Sequence, residues 1–157
     1  MVDPDVDALI EAARGARDHA HAPYSQFAMG AAARTVDGDV VLGALVENVS
    51  LGLAMCAERV AMFSAVAQGL GRIDAIALVA PRTDGRLTMP CGACLQVARE
   101  LGSVDTLVVV ADLDGTIDHH PLGQLAPFLP AKDNGGDVAS PSGREGETVA
   151  DHVVPEV

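Results

Sequence analysis

Two segments of the chain carry all three of its cysteines: CAERVAMFSAVAQG at residues 56–69 and PCGACLQVARELG at residues 90–102. Good helix formers run from residue 54 to residue 68 and stop at Gly69, which predicts a buried helix. A second helix is predicted over residues 91–101, ending at Gly102. Because every cysteine falls in the first turn of one of these helices, the fold must bring two helix N-termini together.

The cysteines form a pattern typical of a catalytic zinc site. Cys91 and Cys94 are three residues apart, so their sulfurs share one face of the second helix once it forms. Helix N-termini favour the thiolate form that a metal requires. Three protein ligands leave the fourth position of a tetrahedral Zn²⁺ open for water, whereas structural zinc sites are normally closed by four. We therefore predict that Cys56, Cys91 and Cys94 bind one Zn²⁺.

A carboxylate beside the predicted metal site supplies the proton chemistry. Glu58 lies two residues after Cys56 and can take a proton from a water activated by the metal and deliver it to a leaving nitrogen. Arg59 can offset part of the negative charge of three thiolates. This combination predicts a hydrolase that removes an amine from an amidine-like ring carbon.

The remaining chain predicts an α/β fold. An N-terminal helix is expected over residues 4–20, and a β-hairpin over residues 27–34 and 40–45, around the turn Asp37-Gly38. Further strands are expected over residues 73–80, 106–111 and 116–119. The order is helix, hairpin, helix, strand, helix, strand, strand. It implies one mixed sheet with helices covering its faces.

Composition sets the domain organisation and the class of partner. The length of 157 residues fits one domain. From Lys132 onward Gly, Ser, Pro and acidic residues dominate, so we predict a catalytic domain over residues 1–131 and an acidic, disordered tail over residues 132–157. The net charge of −12 and pI near 4.5 argue against nucleic acid as a partner and favour a small-molecule substrate.

Leader and membrane signals are not expected. The N-terminus has no basic leader with an apolar run, and the sequence has no stretch of about 18 apolar residues, so neither a secreted nor a membrane protein is predicted. Tight Cys-x-x-Cys spacing in an intracellular protein indicates metal or redox chemistry. The expected location is the cytoplasm.

Several blocks of the sequence resemble the cytidine deaminase family. They are APYSQF at residues 22–27, GAA at 30–32, ENVS at 47–50, CAER at 56–59 and PCGAC at 90–94. These blocks occur in the order of that family and cover about residues 5–130. The resemblance implies a three-layer α-β-α cytidine deaminase-like fold with a five-stranded mixed sheet. It also implies a homotetramer whose active sites border neighbouring subunits.

The resemblance assigns roles residue by residue. It makes Cys56, Cys91 and Cys94 the zinc ligands, Glu58 the proton shuttle and Arg59 the charge partner of the thiolates. Substrate contacts fall on Phe27, whose ring lies against the pyrimidine, on Glu47, which binds the ribose 3′-hydroxyl, and on Ala57, whose backbone contacts the base. Leu45 stands where the family usually has an asparagine that helps hold the ribose.

Other substrate positions also depart from the family pattern. Leu51 stands where a tyrosine is usual and Leu95 where an arginine is usual, and Phe128 is the only late aromatic available to close the pocket. The implied reaction converts cytidine or deoxycytidine, or a closely related aminopyrimidine nucleoside, to the uridine form with release of ammonia. A free base, a blasticidin-like or other modified nucleoside, and an aminated purine are alternative substrates.

Two alternatives fall outside catalysis. A catalytically silent member of the family would hold a ligand in the same pocket. A structural zinc module with a macromolecular partner would need a fourth protein ligand and would have no use for Glu58. Taken singly, Phe27 could be a core residue, and Glu47 could cap a helix or pair with an arginine.

Overall fold

The fold is taken from a computed structural model that describes residues 4–132. Its helices and strands follow the predicted order, with a short 3₁₀ turn and a short last helix that were not predicted. The elements are α1 (Pro4–Arg17), β1 (Gly30–Thr35), β2 (Val40–Ala44), the 3₁₀ turn (Leu51–Leu53), α2 (Ala57–Ala67), β3 (Ile73–Val79), α3 (Gly92–Leu101), β4 (Leu107–Ala111), β5 (Ile117–Pro121) and α4 (Leu122–Leu125).

The strands form one five-stranded sheet in the order β2-β1-β3-β4-β5. β1 pairs antiparallel with β2 and with β3, and β4 pairs antiparallel with β5. Only β3 and β4 run parallel, and a parallel pair requires a crossover connection. Helix α3 lies in that crossover, so the predicted mixed sheet is confirmed.

Helices cover both faces of the sheet. On one face the apolar residues of α1, including Leu9 and Ala13, pack on Ala32, Ala77 and Val109. On the other face α2 and α3 share a second core with the opposite sides of the same strands. The result is the predicted three-layer α-β-α arrangement, in which α2 and α3 lie next to each other on one side of the sheet.

Helix α2 lies very close to the edge strand β2. A Cβ added to Gly43 would fall 2.2 Å from the carbonyl oxygen of Ala57 and 2.4 Å from the backbone nitrogen of Ala61. No side chain fits in that space, so glycine at residue 43 permits the close contact. The first turn of α2, which bears the Cys56 motif, is thereby held against the sheet.

Three predicted boundaries differ from the structure by three residues each. α1 ends at Arg17 and not at Ala20. β1 begins at Gly30 and not at Phe27, because the chain turns through Gln26, whose φ is 60°. α2 begins at Ala57 and not at residue 54. The preceding Met55 is instead extended and pairs with Val46.

The prediction of a buried helix over α2 holds for one face only. That face consists of Ala57, Glu58, Ala61, Met62 and Ala65. On the opposite face the side chains of Phe63 and Val66 are 45% and 56% exposed. This outer apolar face is therefore only partly covered by residues 4–132.

The predicted acidic tail lies outside the described residues from residue 133 onward. Within residues 4–132, no helix combines the length and the apolar character needed to cross a membrane.

Candidate active site

The three cysteines meet where α2 and α3 begin. Cys56 is the N-cap residue of α2, Cys91 is the N-cap residue of α3, and Cys94 lies in the first turn of α3. The Cys56 and Cys91 sulfurs are 3.9 Å apart, the Cys91 and Cys94 sulfurs 3.5 Å apart, and all three lie within 4.8 Å of one another. Tetrahedral zinc with Zn–S bonds of about 2.3 Å needs sulfurs about 3.8 Å apart. The cluster therefore fits Zn²⁺.

The N-cap residues Cys56 and Cys91 start their helices through backbone hydrogen bonds, and their sulfurs take no part in capping. The Cys56 carbonyl accepts a hydrogen bond from the Val60 N–H at 3.2 Å, and the Cys91 carbonyl accepts one from the Leu95 N–H at 3.0 Å. Neither side chain makes a capping hydrogen bond. Serine or aspartate at these positions would normally bond to the first turn, whereas both sulfurs here face a metal site.

The thiols differ in acidity. A hydrogen bond with Cys94 lowers the pKa of Cys56 to about 5, against the opposing effect of partial burial, and the Arg59 guanidinium assists. The pKa of Cys94 is raised, first by its hydrogen bond with Cys56 and then by burial. A metal that binds all three sulfurs must displace the remaining protons. Zinc binding should therefore weaken as the pH falls.

Arg59 lies where the sequence predicted. Its Nη2 atom donates to the Cys56 sulfur at 3.6 Å, and this contact raises the pKa of the guanidinium. The charge is therefore permanent at the thiolate. Arg59 stabilises the deprotonated cysteine without taking a coordination position.

Glu58 is buried beside the cysteines with part of its carboxyl group unused. The residue is 1% exposed, and its Oε2 atom has no hydrogen-bond partner among residues 4–132. Burial, and secondly the charge on Cys56, raise the pKa of Glu58 to about 7, against hydrogen bonds from its own backbone and from Cys94. An unsatisfied buried carboxyl group is costly, and such groups concentrate at functional sites.

A cavity of about 660 Å³ is lined by the predicted substrate residues and extends along the chain to Ala54, two residues before Cys56, but neither the three cysteines nor Glu58 line it. Its volume is within the range of small-molecule sites, about 300–1,000 Å³. Phe27, Leu45 and Glu47 line it as predicted. The other lining residues are Tyr24, Ser25, Met29, Asn48, Val49, Leu51 and Ala54. Ala57 is fully buried and, like Phe128, does not line this cavity.

Glu47 is held by the loop that carries Phe27. Its carboxylate accepts a hydrogen bond from the Tyr24 N–H at 2.9 Å, one from the Ser25 N–H at 3.3 Å and a further one from the Ser25 hydroxyl. The Ser25 hydroxyl, followed by the Tyr24 N–H, holds the pKa of Glu47 below its ordinary value. Among the described residues Glu47 neither caps a helix nor pairs with an arginine.

A backbone link joins the cavity to the cysteine cluster. Val46 lies between the lining residues Leu45 and Glu47, and it pairs with Met55, which directly precedes Cys56. The Val46 N–H donates to the Met55 carbonyl at 3.0 Å, and the Met55 N–H donates to the Val46 carbonyl at 2.8 Å. These two hydrogen bonds therefore connect the backbone of the cavity wall to the residue that precedes Cys56.

Sequence reasoning missed the residues that fix the cavity wall. Tyr24 and Ser25 belong to the block at residues 22–27, but the sequence assigns them no role. The available signal was their position in the same block as Phe27. Their contacts with Glu47 span 22 and 23 residues, and a separation of that size carries no local pattern.

The fold and the site together define a zinc-dependent hydrolase that acts on C–N bonds. The sequence model for the cytidine and deoxycytidylate deaminase zinc-binding region matches residues 4–111. The chain therefore belongs to the cytidine deaminase family.

Similar proteins cover most of the chain. A cytidine deaminase of Halalkalibacterium halodurans is 45% identical over 123 residues, which are 78% of this chain and 92% of the relative. One of Mycobacterium tuberculosis is 42% identical over 127 residues, 81% and 90% of the two chains. The crystal structure of cytidine deaminase from Burkholderia pseudomallei matches with a TM-score of 0.73 and 48% identity, covering 78% of this chain and 97% of that one.

Proposed function

We propose that this protein converts cytidine or deoxycytidine to the uridine form by hydrolysis, with release of ammonia. The observation that carries the proposal is the buried Glu58 carboxyl group, with an unused oxygen, beside three cysteine sulfurs at zinc-binding distances. The names of the similar proteins support cytidine as the substrate. A structural zinc module is disfavoured because Cys56, Cys91 and Cys94 are the only cluster of potential ligands among residues 4–132 and provide no fourth.

Glu58 is the proton carrier in this proposal. Cys56, Cys91 and Cys94 would hold zinc, which would supply Lewis acidity and lower the pKa of a bound water to about 7. The Glu58 carboxylate takes the proton from that water and later gives it to the ring nitrogen or to the departing amine. Because Glu58 is buried, bulk water does not compete for the proton.

The cavity wall positions the nucleoside. The Phe27 ring packs against the pyrimidine, and the Glu47 carboxylate accepts a hydrogen bond from a ribose hydroxyl. For Ala57, which is buried and does not line the cavity, the backbone contact with the base rests on the family resemblance alone. Leu45 places an apolar side chain next to Glu47 and leaves the carboxylate as the main polar contact for the sugar. These roles are supported by the position of Phe27, Leu45 and Glu47 on one cavity.

The charge of the cavity favours nucleosides over nucleotides. Its lining contains the carboxylate of Glu47 but no lysine or arginine. The lowered pKa of Glu47 keeps that carboxylate ionised at neutral pH. A 5′-phosphate would bring further negative charge next to the Glu47 carboxylate in a lining without lysine or arginine, and juxtaposed like charges are unfavourable.

An ammonia-release assay tests the proposed function. The zinc-loaded protein should release ammonia from cytidine and deoxycytidine, with kcat/KM about a hundredfold lower for cytidine 5′-monophosphate because of charge repulsion. Cytosine and adenosine serve as comparison substrates. Ammonia release from the nucleotide as fast as from the nucleoside would contradict the cavity assignment. No release from any of these compounds would favour the catalytically silent alternative.

Exposed apolar surface supports a homotetramer. Phe63 and Val66 on α2, Leu42 on β2, and Leu51 and Leu53 in the 3₁₀ turn are all between 45% and 87% exposed in the single chain. Contiguous apolar surface of this kind marks protein interfaces, and soluble oligomers are mostly symmetric assemblies of one chain. Leu51 lines the cavity as well, so a neighbouring subunit would border the active site.

The remaining assignments follow from this function. We infer that residues 1–131 form the catalytic domain and that residues 132–157 form an acidic tail outside it. Three free cysteines agree with a reducing compartment, which supports the cytoplasm. A role in pyrimidine salvage follows from the proposed deamination of cytidine.

A further inference from the structure

A buried aspartate lies at the end of β4, outside the site described above. Asp112 is 2% exposed. Its Oδ1 atom accepts hydrogen bonds from the N–H groups of Asp114 and Thr116, each at 2.9 Å. Its Oδ2 atom accepts a hydrogen bond from Arg82 Nε at 2.7 Å and lies 2.6 Å from Nη2, which donates to the Thr116 hydroxyl at 3.0 Å. Both oxygens are therefore satisfied, and the carboxylate has one defined orientation.

Arg82 links this aspartate to the loop between β3 and α3. Its Nη1 atom donates to the Gly85 carbonyl at 3.2 Å. Gly85 lies in a tight two-residue turn, in which Asp84 and Gly85 both have positive φ, 50° and 75°. Thr83 and Arg86 close that turn with a reciprocal pair of 3.0 Å hydrogen bonds. Positive φ at both central residues is typical of a two-residue hairpin turn. Arg82 therefore holds this turn against the end of β4.

The same loop leads directly to a zinc ligand. The Thr88 hydroxyl donates to the Pro81 carbonyl at 2.6 Å and lies 2.8 Å from the Thr83 hydroxyl. After Thr88 only Met89 and the buried Pro90 precede Cys91. The loop from Arg82 to Cys91 is therefore held by the Thr88–Pro81 hydrogen bond and is attached to the end of β4 by the Arg82–Asp112 contact.

We propose that Arg82 is a positioning residue for zinc: by fastening the loop to Asp112, it fixes where the Cys91 sulfur lies. Cys91 is the exposed member of the three ligands, while Cys94 is buried within α3. Metal ligands must be held to within a few tenths of an ångström, and residues that orient them commonly change metal affinity by about 10- to 100-fold. This proposal rests on the zinc site of the proposed function.

A matched ion pair elsewhere on the sheet provides the control. Arg34 on β1 donates to Asp74 on β3 at 2.9 and 3.1 Å through two guanidinium nitrogens. Both are arginine-aspartate contacts between distant segments, with the Asp112 side chain 2% exposed and the Asp74 side chain 36% exposed, but Arg34 is not attached to the loop before Cys91. Arg34→Gln should lower stability without altering the metal site.

The test measures zinc release from the folded, zinc-loaded protein into an excess of chromogenic chelator. We expect Arg82→Gln to release zinc about tenfold faster than the wild type, and Arg34→Gln to stay within about twofold. In the cobalt-substituted protein, Arg82→Gln should also shift the ligand-field absorption. The proposal is supported if release from Arg82→Gln exceeds release from Arg34→Gln by about fivefold or more, and any smaller ratio overturns it.

A second variant covers the case in which Arg82→Gln does not fold. Thr88→Val keeps the side-chain shape but removes the hydroxyl that closes the loop at Pro81, and it is judged by the same ratio. Zinc uptake by the wild type distinguishes failure of the proposed function from failure of the role of Arg82. If it takes up no zinc, the proposed function fails together with this inference, whereas equal release rates from a zinc-loaded protein overturn the role of Arg82 alone.

Discussion

Replacing Glu58 with glutamine lowers kcat for cytidine by about a thousandfold or more, within the range known for loss of a general acid-base group. Glutamine preserves the volume of a side chain that is 1% exposed but cannot accept and return a proton. The zinc content should stay at one ion per chain because Glu58 is not a ligand. Steady-state kinetics and metal analysis of the same preparation measure both quantities.

Glu47→Gln is the matched control, since it makes the same chemical change at the cavity wall. It should act mainly on KM, raising it by about tenfold through loss of a charged hydrogen-bond acceptor for the sugar. A Glu58→Gln protein that kept its activity to within about tenfold of the wild type would show that another group carries the proton.

Replacing Cys91 with serine lowers zinc affinity by about two to three orders of magnitude, because one of three ligands is lost from a site worth roughly 10 kcal/mol or more. Cys91 is exposed, so the fold should tolerate the change. The variant should emerge almost free of zinc from dialysis against a chelator that leaves the wild type loaded. The thermal stabilisation that added zinc gives the wild type should also disappear.

Arg59→Gln is the graded comparison for this experiment. It keeps all three sulfurs and removes only the charge 3.6 Å from Cys56, so a loss of about tenfold is expected, as for other residues around metal ligands. If Cys91→Ser retained a full zinc ion after the same dialysis, the three-cysteine site would be wrong.

Much of the fold could be predicted because its signals are local. The run from Leu107 to Ala111 is continuously apolar, as a strand buried on both faces must be, and it forms β4, which lies between β3 and β5 in the sheet. Glycine marked the ends of α2 and α3 correctly. The start of α2 was misplaced by three residues because the pairing of Met55 with Val46 is a tertiary contact that overrides helix propensity.

The metal site could be predicted for the same reason. Cys91 and Cys94 share a helical turn, and Glu58 follows Cys56 by two residues, so the residues of the predicted chemistry lie close together in the sequence. The residues that support the site lie far apart in the sequence. Arg82 and Asp112 are 30 residues apart, and the loop contacts of Glu47 span more than 20, so only the folded chain shows them.

The outer face of α2 shows a third limit on what can be predicted from the sequence. The predicted burial of α2 holds for one face only. Its outer face, with Phe63 45% and Val66 56% exposed, is only partly covered by residues 4–132. Association with further copies, as proposed above, would bury this face.

Deamination of cytidine in water enriched in the heavy isotope of oxygen tests the central claim most directly. If water activated at the cysteine site attacks the ring carbon, the uridine formed carries the heavy oxygen at that carbon, ammonia appears in equal amount, and Glu58→Gln forms almost none of either. Uridine without the label, or labelled uridine formed equally fast by Glu58→Gln, would contradict the account.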